Sequence, residues 1–285
     1  MTTAAAPAPA LPDAEAVLDR AGGENFSVAS LVLGRENRDH LLAIYGFARL
    51  VDQLGDDVPG DRLALLDQLE RELDAVFDAG APSHPLMQRL VPTVRACALP
   101  RGPFERLIEA NRRDQRITDY ATFDELVDYC TYSANPVGEL VLHVFGAATP
   151  ERIALSDSVC TALQLAEHWQ DVAEDHAAGR MYLPAEDRER FGVAPADLGG
   201  VSADEPLRRL LAFEVERGRA LLDVGAPLVG RLRGRARVAV AGYVGGGRAA
   251  FDAVESAGYD VLAGAPKASK GRRAWRTLTT YLRGR

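Results

Sequence analysis

Apolar and polar positions recur with a helical period along most of the chain, and one stretch shows the pattern most sharply. Residues 38–57 read RDHLLAIYGFARLVDQLGDD. Leu41, Leu42, Ile44, Phe47, Leu50, Val51 and Leu54 cover most of the circumference, which predicts a buried helix. Arg38, Tyr45, Arg49, Asp52 and Asp56 follow one another at offsets of 7, 4, 3 and 4. At about 100° per residue they fall on one narrow polar stripe. Such a stripe on an otherwise apolar helix must face something polar inside the protein.

The same reading gives the other elements. Asp13 caps a short helix that Gly22-Gly23 ends, and ENFSVAS (24–30) leads into the first long helix, which stops near Asp57 before Pro59-Gly60. Helices are predicted over 61–79, over 84–99 with a kink at Pro92, and over 103–117, which carries Asn111 and Asp114. The 122–145 segment opens with a Thr122/Glu125 capping box and should kink or break at Asn135-Pro136 and Gly138. One helix is predicted over 150–176, then an extended Arg180–Pro184 segment, then helical regions over 204–232 and 235–260. No run of alternating strands is found, so the fold class is all-α.

The 150–176 helix repeats the polar stripe: Gln164, His168, Asp171 and Asp175 have the offsets of Tyr45, Arg49, Asp52 and Asp56. An isolated pair of acids at i, i+4 is usually a solvated face. Two such pairs on apolar helices, each with Arg or Gln along the stripe, argue otherwise. If they faced each other, four carboxylates would surround one cavity, an arrangement that calls for a divalent cation. Mg²⁺ suits it, because Mg²⁺ takes a few carboxylates together with water and phosphate oxygens.

Composition narrows the partners. The 285 residues are 47% hydrophobic without a compositional break, which predicts an Ala/Pro tail over 1–12 and a single domain over 13–285. The net charge of −8 argues against nucleic acid. Cys97, Cys130 and Cys160 lack metal spacing and read as buried thiols of a reducing compartment. The MTTAAAPAPALP start has neither a basic n-region nor a long apolar run, so a cytoplasmic protein is expected. Gly242 to Gly247 lacks the order of a dinucleotide loop and reads as a close helix contact. The tail 267–285 has seven Lys or Arg and no acid, with Trp275, Leu278 and Leu282 on one face. It either rests on anionic lipid at the inner membrane face or docks on the bundle with its charges solvated.

Four aspartates on Mg²⁺, with Arg38, Arg49 and Arg180, make a diphosphate site. No nucleophile is flagged by an elbow motif or a paired His, which favours ionisation to a carbocation over covalent catalysis. Phe26, Tyr45, Phe47, Tyr132 and Trp169 lie near the motifs and are candidates for the aromatic faces a cation needs, or for ordinary core.

AIYGFARLVDQLGDD, YCTYSANPVGE and LQLAEHWQDVAEDHAAGRMYLP resemble the three signature regions of the squalene/phytoene synthase family, from about Glu24 to Lys270. The resemblance implies the all-α isoprenoid synthase fold and binding of prenyl diphosphates through two or three Mg²⁺ ions held by Asp52, Asp56, Asp171 and Asp175. It implies diphosphate contacts from Arg49 and Arg180, Tyr132 beside the carbocation and Gln164 lining the pocket. Arg38, Tyr45, Asn135, Glu167 and Tyr182 complete the expected substrate-binding set. ENFSVAS, SANPVG and the Trp169-Gln170-Asp171 run are similar to the branch that ionises presqualene diphosphate and lets water capture the cation, without NADPH. That branch implies coupling to an enzyme that makes presqualene diphosphate and one that processes the hydroxylated product. Three positions depart from the common family pattern: Gln53 for a second Asp, Glu167 for Asn, and Thr131 for a residue that is often basic.

Overall fold

The computed structural model describes residues 11–14, 33–78 and 80–284. Most of the helix expected after Asp13, and the 24–30 stretch with Phe26, lie outside the described residues. The chain forms two compact units, one up to Arg116 and one from Ile117 onward. Among the described residues there is no strand, only an isolated parallel bridge between Asp119 and Met181.

In the first unit, α1 spans Arg35–Asp56, α2 Arg62–Phe77, α3 Pro85–Cys97 and α4 Gly102–Asp114. The first long apolar pattern becomes α1, whose Leu41, Ile44, Phe47, Leu50, Val51 and Leu54 are buried. Asp61 caps α2 by accepting from the Ala64 N–H at 3.0 Å, and Ala98 ends α3 in a left-handed conformation at φ 47°. Pro92 sits inside α3. Helix α1 packs on α2, α3 and α4, and Phe47 meets Phe104 edge-to-face with ring centroids 5.0 Å apart. Phe47 has no exposed surface; truncating such a side chain costs about 3–5 kcal/mol.

In the second unit, α5 is Phe123–Ser133, α6 Asn135–Val144, α7 Pro150–Gln170, α8 Val172–Ala177, α9 Ala185–Phe191, α10 Glu205–Gly225, α11 Leu228–Arg231, α12 Gly234–Ser256 and α13 Lys270–Arg283. The predicted break of the 122–145 segment falls at Ala134, just before Asn135-Pro136, where Pro cannot donate a helical hydrogen bond. Thr122 accepts from the Glu125 N–H at 3.2 Å, and the Glu125 carboxylate accepts from Ala121 N–H at 2.8 Å. Helix α7 packs on α6, α10 and α12.

Two predicted helices prove discontinuous. The 150–176 helix is interrupted at Asp171, which has φ −104° and ψ 18° and separates α7 from α8. The 204–232 region divides at Ala226-Pro227, because a proline there ends the α10 ladder. Gly242 to Gly247 lies inside α12 and serves close helix packing as expected: a Cβ on Gly245 would stand 2.6 Å from the Thr277 backbone.

Candidate active site

The first acidic pair sits on the last turns of α1. Asp52 and Asp56 are exposed, while Arg38, Tyr45 and Arg49 are half-buried along the same stripe. Helix α4 braces this end of α1. Buried Asn111 lies within 3.5 Å of Asp52 Oδ1 through its Nδ2, and Gln115 Nε2 donates to the Gly55 carbonyl at 3.0 Å. The absence of a side chain at residue 55 permits that approach, since a Cβ there would stand 2.0 Å from Asn111 Oδ1.

The second pair is built differently. Asp171 occupies the junction of α7 and α8, and the Asp175 N–H donates to the Asp171 carbonyl at 2.8 Å, so the carboxylates stay one turn apart. Both are half-buried. The Arg180 N–H donates to the Asp175 carbonyl at 2.8 Å. It follows Gly179, whose φ of 78° turns the chain out of α8. Asp175, Arg180, His168, Tyr182 and Leu198 line a small cleft that is partly open to solvent.

An aromatic wall stands against this pair. His168 stacks on Tyr182 with centroids 3.6 Å apart and planes 15° from parallel. Tyr120 and Tyr129 extend the group, at 5.9 and 6.1 Å from Tyr182. The wall depends on the Asp119–Met181 bridge, in which the Met181 N–H donates to the Thr118 carbonyl at 2.8 Å. Buried Arg188 fixes it, donating to both oxygens of Asp119 at 2.8 Å and to the Leu183 carbonyl at 2.9 Å. Gln164 Nε2 lies 3.1 Å from His168 Nε2. With the amide donating there, the imidazole proton resides on Nδ1, 3.8 Å from Asp175 Oδ2.

The electrostatics leave room for a cation at the second pair. Burial pushes the Asp171 carboxyl above its ordinary range, and the neighbouring charges of Asp175 and Glu174 push it further. Asp175 Oδ2 is buried and accepts no hydrogen bond. Crowded carboxylates with an unsatisfied inward oxygen are a donor set suited to a hard divalent ion such as Mg²⁺. Among the described residues no group of three or more carboxylate, imidazole or thiol side chains is arranged to hold a metal; each unit offers a pair.

The remaining candidates divide. Tyr182 borders the second pair and Gln164 meets it only through His168, while Glu167 is exposed on α7 and Tyr132 half-buried on α5. Asn135 is buried, and its Oδ1 accepts from the Thr161 hydroxyl at 3.0 Å, a tie between α6 and α7. Of the aromatic candidates, Phe47 and Trp169 are core, with no exposed surface; Trp169 packs against Phe251. Their apolar surroundings win over any role at a polar cleft. Periodicity marks His168 only as part of the stripe and Asn111 only as a polar residue of the 103–117 helix, and it does not mark Tyr120 or Tyr129. The three aromatic residues are joined by long-range pairing that local periodicity does not encode. Burial holds the Cys130 thiol up at about 12, as expected of an inert buried cysteine.

The squalene/phytoene synthase family model matches residues 19–277. A hydroxysqualene synthase of Zymomonas mobilis is 35% identical over 203 residues, 70% of this chain and 67% of that protein. A presqualene diphosphate synthase of Rhodopseudomonas palustris is 34% identical over 226 residues, 77% of each. The crystal structure of squalene synthase HpnC from Alicyclobacillus acidocaldarius superposes with a TM-score of 0.80 at 46% identity, covering 87% of this chain and 94% of that one.

Proposed function

The chain belongs to the squalene/phytoene synthase family, and from that premise we propose that it converts presqualene diphosphate and water into hydroxysqualene and diphosphate in the cytoplasm. It has the isoprenoid synthase fold and is an enzyme of the isoprenoid synthase type. The observation that carries the diphosphate chemistry is the second acidic pair, half-buried, with the Asp175 Oδ2 oxygen accepting no hydrogen bond, beside Arg180 and an aromatic wall.

Mg²⁺ held by Asp52, Asp56, Asp171 and Asp175 would neutralise phosphate oxygens and make diphosphate a better leaving group. Arg180, Arg49 and Arg38 bind those oxygens through paired guanidinium N–H donors. Asn111 and Gln115 keep the Asp52 end of α1 in place. Tyr182, stacked on His168, offers a ring face to positive charge, with Tyr129 and Tyr132 on the adjoining helix. Gln164 and His168 orient each other along the stripe. The substrate C–O bond breaks with both electrons leaving on oxygen, the rearranged cation gains a water oxygen, and that water gives one proton to the released diphosphate. The reaction balances without NADPH.

The 46% identity to squalene synthase HpnC and the likeness to a hydroxysqualene synthase support this branch. A head-to-head condensation of two prenyl diphosphates is the second reading, supported by the presqualene diphosphate synthase relative. A non-catalytic helical scaffold agrees poorly with four retained aspartates. In the proposed sequence one enzyme must supply a cyclopropylcarbinyl diphosphate and another must consume a tertiary or allylic alcohol. Incubation with Mg²⁺ and either farnesyl or presqualene diphosphate, without NADPH, followed by mass spectrometry of the products, tests the reading. Hydroxysqualene from presqualene diphosphate is the expected result; presqualene diphosphate or a C40 product from prenyl diphosphates would favour the second reading.

A further inference from the structure

Helix α13 docks on the second unit with its polar side inward. Thr280 is fully buried and its hydroxyl accepts from Arg248 Nη1 at 3.1 Å. The Thr277 backbone lies against Gly245 of α12. Arg276 donates to Asp252 at 2.6 Å, Arg272 donates to the Ser256 hydroxyl at 2.8 Å, and Arg237 donates to the Tyr281 carbonyl at 2.7 Å. The opposite side carries Trp275, Leu278 and Leu282, which are 65%, 50% and 70% exposed. An amphipathic helix that docked for hydrophobic reasons would have turned these residues inward. Here close packing through Gly245 and the buried Thr280 holds them outward.

Charge identifies what covers this strip. Segment 267–285 has seven Lys or Arg and no acid, in a chain of net charge −8. Lys270 and Arg283, at the two ends of the helix, are exposed. The acids on the docked side are engaged: Asp252 with Arg219 and Arg276, Glu255 with Arg219, and Asp223 with Arg248. The outward surface of α13 therefore combines an apolar strip with flanking positive charge, the composition that inserts into an anionic bilayer surface. We propose that Trp275, Leu278 and Leu282 form a membrane-contact strip that seats the protein on anionic phospholipid, with Lys270 and Arg283 on headgroup phosphates. Among the described residues no helix is long and apolar enough to cross a membrane.

The fluorescence of the full chain reads this directly. Of the two tryptophans Trp169 is fully buried, so a shift on lipid addition reports Trp275. Vesicles of phosphatidylcholine with phosphatidylglycerol should shift the emission to the blue and carry the protein upward in a density gradient. Phosphatidylcholine alone should do so much more weakly. Leu278→Ser/Leu282→Ser should reduce vesicle affinity at least tenfold with thermal unfolding unchanged, because neither side chain is buried. Each of Lys270→Ala and Arg283→Ala should weaken binding about fivefold. No shift and no flotation with anionic vesicles would overturn the proposal. So would a concentration-dependent dimer, seen by sedimentation without lipid and abolished by the same double variant, since the strip would then belong to a second copy. Binding is measured without turnover, so the result stands apart from the proposed reaction.

Discussion

The two acidic pairs have the same spacing and opposite settings. Asp52 and Asp56 project from an unbroken helix and are exposed, whereas Asp171 and Asp175 straddle a helix break and are half-buried. An exposed pair is hydrated and costs little to ionise. A half-buried pair pays a desolvation penalty that a bound cation relieves. The difference teaches that one motif spacing produces two settings: an exposed pair at the end of a continuous helix, and a half-buried pair at a helix junction where charge is crowded.

Substituting one aspartate in each pair tests this most strongly. Asp52→Asn and Asp171→Asn should each lower turnover by about 10³-fold or more, since both pairs are proposed to hold the diphosphate-bound metal. Their metal-free stabilities should diverge. Differential scanning fluorimetry should show Asp171→Asn more stable than the parent by about 1 kcal/mol, through relief of charge crowding, and Asp52→Asn nearly unchanged. Equal shifts in the two variants would break the comparison.

Tyr182→Ala removes the ring stacked on His168 and should lower kcat about 10- to 100-fold, with a destabilisation of about 2–4 kcal/mol measured by urea unfolding. Tyr182→Phe, which keeps the ring, should retain most of the rate. In the first unit, Gly55→Ala should cost about 1–3 kcal/mol, because the new methyl collides with Asn111 beside Asp52. Its KM should rise more than its kcat falls if Asn111 braces the exposed pair alone.

The smallest effect comes from a carboxyl in the second unit that has a protein cation within reach. Glu214 has no exposed surface and lies 3.5 Å from Arg217. Burial still pushes its carboxyl up to about 8, and nearby Asp187 adds to the rise. A carboxyl raised in the folded state binds its proton more tightly there than when unfolded. Its stabilising contribution is therefore complete below the ordinary carboxyl range and is lost as pH rises through about 8. Glu214→Gln, which keeps a donor toward Asp187, should leave stability unchanged at pH 5 and raise it by about 1–2 kcal/mol at pH 9, followed by thermal unfolding. An unchanged pH profile would show that the second unit tolerates buried carboxylates without a cation, and would weaken the case for Asp171.

The sequence was legible where the determinant was local. The α1 stripe follows from a continuous 3.6-residue period, and the break before Asn135 follows from Pro136, which removes a helical donor. The break at Asp171 carries no Gly or Pro. A lone Asp at a helix junction differs little from one in mid-helix, because its side chain competes with the backbone only when tertiary packing allows. The wall of Tyr120, Tyr129, Tyr182 and His168 was hidden for another reason: the Asp119–Met181 pairing joins segments some sixty residues apart in the chain. The tail shows a third limit. Periodicity identified the Trp275, Leu278 and Leu282 face, but not its outward direction, which depends on Thr277 reaching the Gly245 backbone.

The most direct measurement of the central claim is turnover of presqualene diphosphate in ¹⁸O-labelled water with Mg²⁺ and no reductant, with product masses compared for the parent, Asp52→Asn and Asp171→Asn. The account expects hydroxysqualene carrying one ¹⁸O from the parent and no product from either variant. Unlabelled product, or full turnover by both variants, would contradict it.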